Sequence, residues 1–395
     1  MVAAAAAAAA WRLWPEQGFW NPCRAALPPH LANHELVAAA WAGIDPAQVW
    51  DMHVHLLGTG DGASGVYVNP QTASMLHPTL YLRRAFFLNA ACGESDRAYV
   101  ERLRTLADEL RPGAKLLLFA FERVHDSRGA PDLEHSMFYV PDAYARDTAR
   151  AYPQRFEWAA SIHPYRADAL DALAQAKRDG ARAVKWLPAV MAIDPASPRC
   201  RRFYDALRAH DLPLITHAGA ELAVAGHDWD DYGNPLRLRP ALDAGVRVVI
   251  AHCASFGEDR DLDRGPQGPN VPSFALFERL MNDGRYEKNL SADISALTQL
   301  NRVRPALARV LKEERWQGRL VNGSDYPLPG VMPIYSVDYL VSLKLLDAAA
   351  APVLREIRLH NALLFDFVLK RSLRSNGKRF GAGVFQTRSF FEPRV

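Results

Sequence analysis

Two histidines one residue apart, His53 and His55 in Val49-Trp-Asp-Met-His-Val-His-Leu56, are the first side chains whose type and spacing suit chemistry. Alternate residues of a strand share a face, so the two imidazoles point the same way, a few ångströms apart. Two neutral imidazoles held like that make half of a metal site. Further ligand types follow. Lys185 lies in Ala183-Val-Lys-Trp-Leu-Pro188, His217 in Leu214-Ile-Thr-His-Ala-Gly219 and His252 in Val248-Val-Ile-Ala-His-Cys253. Asp325 lies in Leu320-Val-Asn-Gly-Ser-Asp-Tyr-Pro327. Each also has a plainer reading. A histidine ending an apolar run is often a satisfied core residue, and an Asp beside Gly and Ser is often a turn former. A lysine inside an apolar run is costly unless paired or neutral.

The elements that must position these residues come from periodicity and breakers. Short apolar, β-branched runs at 49–55, 115–121, 156–163, 181–187, 214–217, 247–252, 289–294 and 320–324 read as strands. Amphipathic stretches at 95–110, 142–151, 167–178, 201–210, 236–244, 272–282 and 303–314, with a terminal pair over 336–369, read as helices. Gly180, Gly245 and Gly284 follow helices where a left-handed cap is wanted. Eight β–α repeats predict an α/β fold, a distorted (β/α)8 TIM barrel with long βα loops and terminal extensions. A doubly wound sheet is the alternative, but no Gly-x-Gly-x-x-Gly follows the first strand. In a barrel every strand end converges on one mouth, which would make the ligand types neighbours.

That set of residues resembles the amidohydrolase superfamily of metal-dependent hydrolases. The resemblance runs from about residue 49 to about 370 and ends in His360-Asn-Ala-Leu-Leu-Phe365, similar to the family's terminal Asn-Ala helix. It implies one or two divalent metals held by His53, His55, Lys185, His217, His252 and Asp325. Lys185 would be either a metal-bridging carbamate or an uncarboxylated substrate contact, and His252 a second-metal ligand or a partner of the water or substrate. Asp325 would be the general base, with His252 beside it as a catalytic residue. Zn²⁺ suits the donors, and Mn²⁺, Fe²⁺ or Co²⁺ are compatible with them.

The leading expectation is hydrolysis of an amide, ester or lactone of a small molecule by a metal-activated water. Thr-His-Ala-Gly and Gly-Ser-Asp-Tyr-Pro also resemble a branch containing non-oxidative decarboxylases of aromatic or muconate-type acids. A metal-bound barrel without turnover is the third reading. Trp186, Glu221 and Arg237 are the substrate-binding candidates. Asp228, Asp230 and Asp231, with His227, form an acidic loop nearby. Asp293, Ser295, His163, Tyr165 and Arg123 are further residues near the mouth. Cys253 reads as a small core residue rather than a nucleophile.

Composition bounds the rest. In 395 residues, 49% are hydrophobic and the formal charge is +3, with no basic run suggesting nucleic acid. The four cysteines form no Cys-x-x-Cys pair, which is read as unpaired thiols in a reducing, cytoplasmic compartment. No run is apolar and long enough to span a membrane. The expected organisation is an extension at 1–48 with a poly-Ala start, a barrel at 49–370 and a basic, then aromatic tail at 371–395. The tail would wrap the barrel or a partner subunit in a homodimer.

Overall fold

The computed structural model describes residues 15–24, 26–224 and 229–392. The poly-Ala start, His227 and Asp228 lie outside them. Eight parallel strands surround one axis: β1 (Trp50–His55), β2 (Lys115–Phe119), β3 (Phe156–Ala159), β4 (Val184–Trp186), β5 (Leu214–Thr216), β6 (Val248–Ile250), β7 (Leu290–Asp293) and β8 (Leu320–Val321). Hydrogen-bonded neighbours run β1-β2-β3 and β4-β5-β6-β7-β8. Single parallel bridges, Ala160 to Val184 and Val54 to Tyr326, join the two sheets into a ring. The fold is the expected distorted (β/α)8 barrel.

Alternation along the strands divides their residues between two apolar layers. Met52, Leu117, Phe119, Ala159, Ala183, Ile215 and Val249 fill the barrel, and Phe391 of the tail packs with them. Leu116, Leu118, Trp158, Val184, Leu214 and Val248 face outward to the surrounding helices. The tail is held at the strand starts: Thr387 donates its hydroxyl to the Trp50 carbonyl, and the Phe391 ring stacks 6.4 Å from that of Trp50. It closes the end of the barrel opposite the ligand-bearing mouth.

Around the ring run α1 (Glu35–Trp41), α2 (Pro78–Ala91), α3 (Asp96–Asp108), α4 (Asp142–Ala151), α5 (Ala169–Arg178), α6 (Arg201–Ala209), α7 (Ser273–Met281), α8 (Ala351–His360) and α9 (Ala362–Ser372). Local chemistry explains their bounds. Ser95 Oγ accepts from the Ala98 N–H at the start of α3, and Asn361 Oδ1 accepts from the Leu364 N–H at the start of α9. In α6, Phe203, Tyr204 and Leu207 are buried, while Arg201, Arg202 and Asp205 face solvent. Among the described residues no helix is long and apolar enough to cross a membrane.

Four expectations are corrected. A helix outside the expected set, the 14-residue α2, lies in the long connection after the first strand. The third strand stops at Ala159, so His163 lies beyond it. Gly180 and Gly245 are left-handed, but Gly284 has no positive φ and starts a short helical turn, Gly284–Tyr286. Cys23 and Cys92, 69 residues apart, form a disulfide that ties the N-terminal segment to the end of α2, and only Cys200 and Cys253 are free thiols. This removes the ground for reading a reducing compartment from the cysteines.

Candidate metal centre

A bulge in β1 aims the two leading histidines. Asp51 pairs with Leu116 and Val54 with Leu118, so Met52 and His53 together stand opposite Leu117 alone. The extra residue switches the facing of the strand. Met52 ends the inward apolar layer, and His53 and His55 then point into the mouth with Val54 outside. Their Nε2 atoms are 3.3 Å apart.

Asp325 arrives from the turn after β8. That turn crosses β1 closely: the Asp325 N–H donates to the His53 carbonyl, and the Ser324 N–H donates to Asp51 Oδ1. Gly323 permits the approach, since a Cβ there would sit 2.4 Å from His53 Cβ. Lys370, ion-paired with Asp366 at 2.6 Å, donates to the Gly323 carbonyl from below. Asp325 itself takes a left-handed φ of 62°, which Asp tolerates better than most residues. Its Oδ1 lies 3.3 Å from His53 Nε2 and 3.2 Å from His55 Nε2.

His252 reaches the same point by strain. It and the next two residues, Cys253 and Ala254, are all left-handed, at φ 54°, 50° and 46°. Such a run costs roughly 1–2 kcal/mol per non-glycine residue. It turns the His252 imidazole inward, with Nε2 3.8 Å from Asp325 Oδ2.

Asp293 at the end of β7 braces both rings. Its Oδ2 accepts from His53 Nδ1 at 2.7 Å, and its Oδ1 accepts from the His252 backbone N–H at 3.0 Å. Ser295 Oγ donates to Asp293 Oδ1 and accepts from His252 Nδ1 at 2.8 Å. Burial first, then Lys185 near His53 and Arg302 near His252, holds both imidazoles well below the usual histidine range. They are neutral at pH 7, the form that ligates metal.

Ligand atoms of His53, His252 and Asp325 all lie within 4.8 Å of one another, a group able to hold a metal ion. Donors about 2.1 Å from a common cation are separated by about 3.0–3.4 Å. The 3.2–3.3 Å spacings among His53, His55 and Asp325 match that range. The donor set therefore fits a divalent metal.

Lys185 is buried with its Nζ 3.2 Å from His53 Nε2, and burial lowers its pKa to about 8. His217 lines the same cavity, its ring centroid 5.2 Å from that of His252. Its Nδ1 lies 3.2 Å from Glu221 Oε2 and its Nε2 3.3 Å from the Ala220 carbonyl, and it is outside the tight three-residue group.

Above these residues opens a cavity of about 180 Å³, walled by Leu57, Val68, Phe87, Phe121, Met137 and Phe138 and also touched by Glu221, Arg83 and Arg302. Two substrate-contact candidates are elsewhere. Trp186 faces outward, stacked 5.4 Å from Phe203 with its indole N–H on the Ile162 carbonyl, because its neighbour Lys185 takes the inward face. Arg237 pairs with Asp194 at 3.0 Å, away from the cavity. His163, Tyr165 and Arg123 are also outside its lining, as are the exposed Asp230 and Asp231. Arg302 was missed; its one sequence signal is a cation in the loop after the seventh strand.

The family described as Amidohydrolase matches residues 50–364. No curated protein matches the chain. Among solved structures, the chain is similar to an uncharacterised TIM-barrel protein from Bordetella bronchiseptica, at 18% identity over 74% of this chain and 90% of that one, TM-score 0.45. It is similar to the apo form of IDCase from Metarhizium anisopliae, at 12% identity over 89% and 97%, TM-score 0.48. It is also similar to 5-carboxyvanillate decarboxylase from Sphingomonas paucimobilis, at 12% identity over 80% and 96%, TM-score 0.43.

Proposed function

Because the chain belongs to the amidohydrolase family, we propose that it is a metal-dependent enzyme whose reaction is the non-oxidative decarboxylation of a small, ring-bearing carboxylic acid. The observation that carries this reading is the composition of the cavity over the His53–His55–Asp325 cluster. Its walls are largely apolar and aromatic, which suits a ring, and Lys185 and Arg302 bring positive charge into it with no carboxylate in ion-pair contact among the described residues. A neutral amide or lactone has no use for that charge; an acid does.

His53, His55 and Asp325 would hold the metal, with His252, His217 and Lys185 around it. Zn²⁺ is the metal we propose, and Mn²⁺, Fe²⁺ or Co²⁺ suit the same donors. When bound, the metal supplies Lewis-acid polarisation of a substrate oxygen. The chain's own groups do the rest. The apolar wall excludes water and orients the ring. The bond between ring carbon and carboxylate breaks, CO₂ leaves, and the electron pair left on carbon takes up a proton that Asp325 has taken from water before the substrate enters. His252, with its hydrogen on Nδ1, presents its Nε2 lone pair 3.8 Å from Asp325 Oδ2, placed to take a proton from it rather than to supply one.

Hydrolysis is the second reading, favoured by the position of Asp325 between two imidazoles, where a carboxylate can take a proton from water and pass it to a leaving group. Incubation with a panel of aromatic acids separates the two. Release of CO₂ without ¹⁸O from labelled water in the product supports decarboxylation. Uptake of ¹⁸O from an amide, ester or lactone, with no acid yielding CO₂, overturns it. The partner we infer is a small molecule rather than a nucleic acid.

A further inference from the structure

We propose that Arg302 is the residue through which the cavity reads its substrate's carboxylate, and that the substrate is therefore a monocarboxylate on an apolar body. The proposal rests on the acid-substrate reading above and names the group that enforces it. Arg302 stands in the loop after β7, is only 5% exposed, and lines the cavity that holds the ligand cluster.

Among the described residues its guanidinium holds one long hydrogen bond and no ion pair. Nη1 donates to Ser255 Oγ at 3.5 Å, and the guanidinium lies 5.7 Å from the Phe256 ring centroid. Among the described residues the buried Nε–H has no hydrogen-bond partner. The two acids whose charge bears most on Arg302, Glu221 and Asp325, are engaged elsewhere. Glu221 faces His217 and accepts from the Val224 N–H, while Asp325 faces His53 and His55. A buried cation with no paired acid is costly unless something supplies an acceptor. A carboxylate fits, because its two oxygens accept from a guanidinium edge side by side. An amide offers one oxygen and no charge.

The test is calorimetric titration of benzoate and benzamide into the full chain, both metal-loaded and after chelation. Chelation removes the carboxylate's direct attraction to metal, so the preference that remains belongs to protein groups. Benzoate is expected to bind at least about tenfold more tightly than benzamide in both forms, the scale of a charge-assisted hydrogen bond. Arg302→Met should bring the chelated-form ratio close to one, and Arg302→Lys, which keeps the charge but not the two-pronged edge, should restore part of it. Arg237→Met, paired with Asp194 away from the cavity, should leave it unchanged. Metal stoichiometry of each variant reports that the barrel is intact. Equal binding of the two probes by the parent chain, no binding of either, a ratio that survives Arg302→Met, or one lost in Arg237→Met overturns the proposal. A ratio that depends on Arg302 with no CO₂ from any acid leaves the recognition standing and removes the decarboxylase reading.

Discussion

The Asp293 carboxylate accepts from His53 Nδ1 at 2.7 Å, with both side chains fully buried. An ionised carboxylate can only accept, so Nδ1 carries the hydrogen and Nε2 keeps its lone pair for the cavity. The same carboxylate holds the His252 backbone, so one acid orients two rings from different strands. Partners of this kind set a ligand's tautomer and basicity.

Asp293→Asn should therefore weaken metal binding by about 10–100-fold while the barrel stays folded. Competition with a chromophoric chelator measures it. Unchanged affinity would mean that His53 is oriented by packing alone.

Asp325→Asn should lower turnover by at least about 100-fold on whichever substrate the CO₂ or ¹⁸O screen identifies, the scale of a lost proton-transfer group. Near-normal turnover would take Asp325 out of the chemistry.

Gly323→Ala tests the crossing of the β8 turn over β1. The new Cβ would lie 2.4 Å from His53 Cβ and 2.9 Å from its backbone nitrogen, so one strand must move. We expect a loss of about 1–3 kcal/mol in stability and weaker metal binding in the same variant. Urea unfolding and chelator competition read the two effects, and an unaffected protein would contradict the close approach.

Asp142 gives a pH signature away from the metal. Burial, with help from the nearby Glu122, raises its pKa to about 7 against the Ser161 N–H bond to its Oδ1. Between about pH 4 and 7 the folded chain thus holds a proton that the unfolded chain has released. Its contribution is complete below pH 4 and is lost as pH rises through 7. Asp142→Asn removes that loss, so its stability relative to the parent should be higher at pH 8 than at pH 4, by about 1–3 kcal/mol. Urea unfolding at the two pH values decides it; an equal difference at both would show that Asp142 carries no such linkage.

Phe391→Ala should cost about 3 kcal/mol, because the ring packs with the inward layer at the foot of the barrel. Metal stoichiometry should not change, the site being at the other end. A variant as stable as the parent in urea would mean the tail only rests on the barrel.

Much of this was legible in one dimension. Strand parity is a local property, so the eight apolar runs, the shared facing of His53 and His55, and the placing of Asp325 after the last strand could be read from neighbours alone. The inward aim of Lys185 and the outward aim of Trp186 follow from the same parity, yet the sequence alone offers Trp186 as a substrate contact, because its side cannot be assigned without knowing which residues face the axis.

What tertiary structure decided depends on pieces distant along the chain. The bulge at Met52–His53 exists only against β2, and without it the inward layer of Trp50 and Met52 would leave both histidines outside. Asp293 braces a ring 240 residues away, Cys23 meets Cys92, and the tail's Phe391 reaches Trp50. Arg302 became visible only when the acids facing it proved to be occupied by histidines. By itself the sequence determined the kinds of groups and the elements that carry them, because backbone geometry repeats every two or 3.6 residues. Which groups meet, and which is left without a partner, was decided by the closed barrel, because those contacts depend on long-range packing that has no period along the chain.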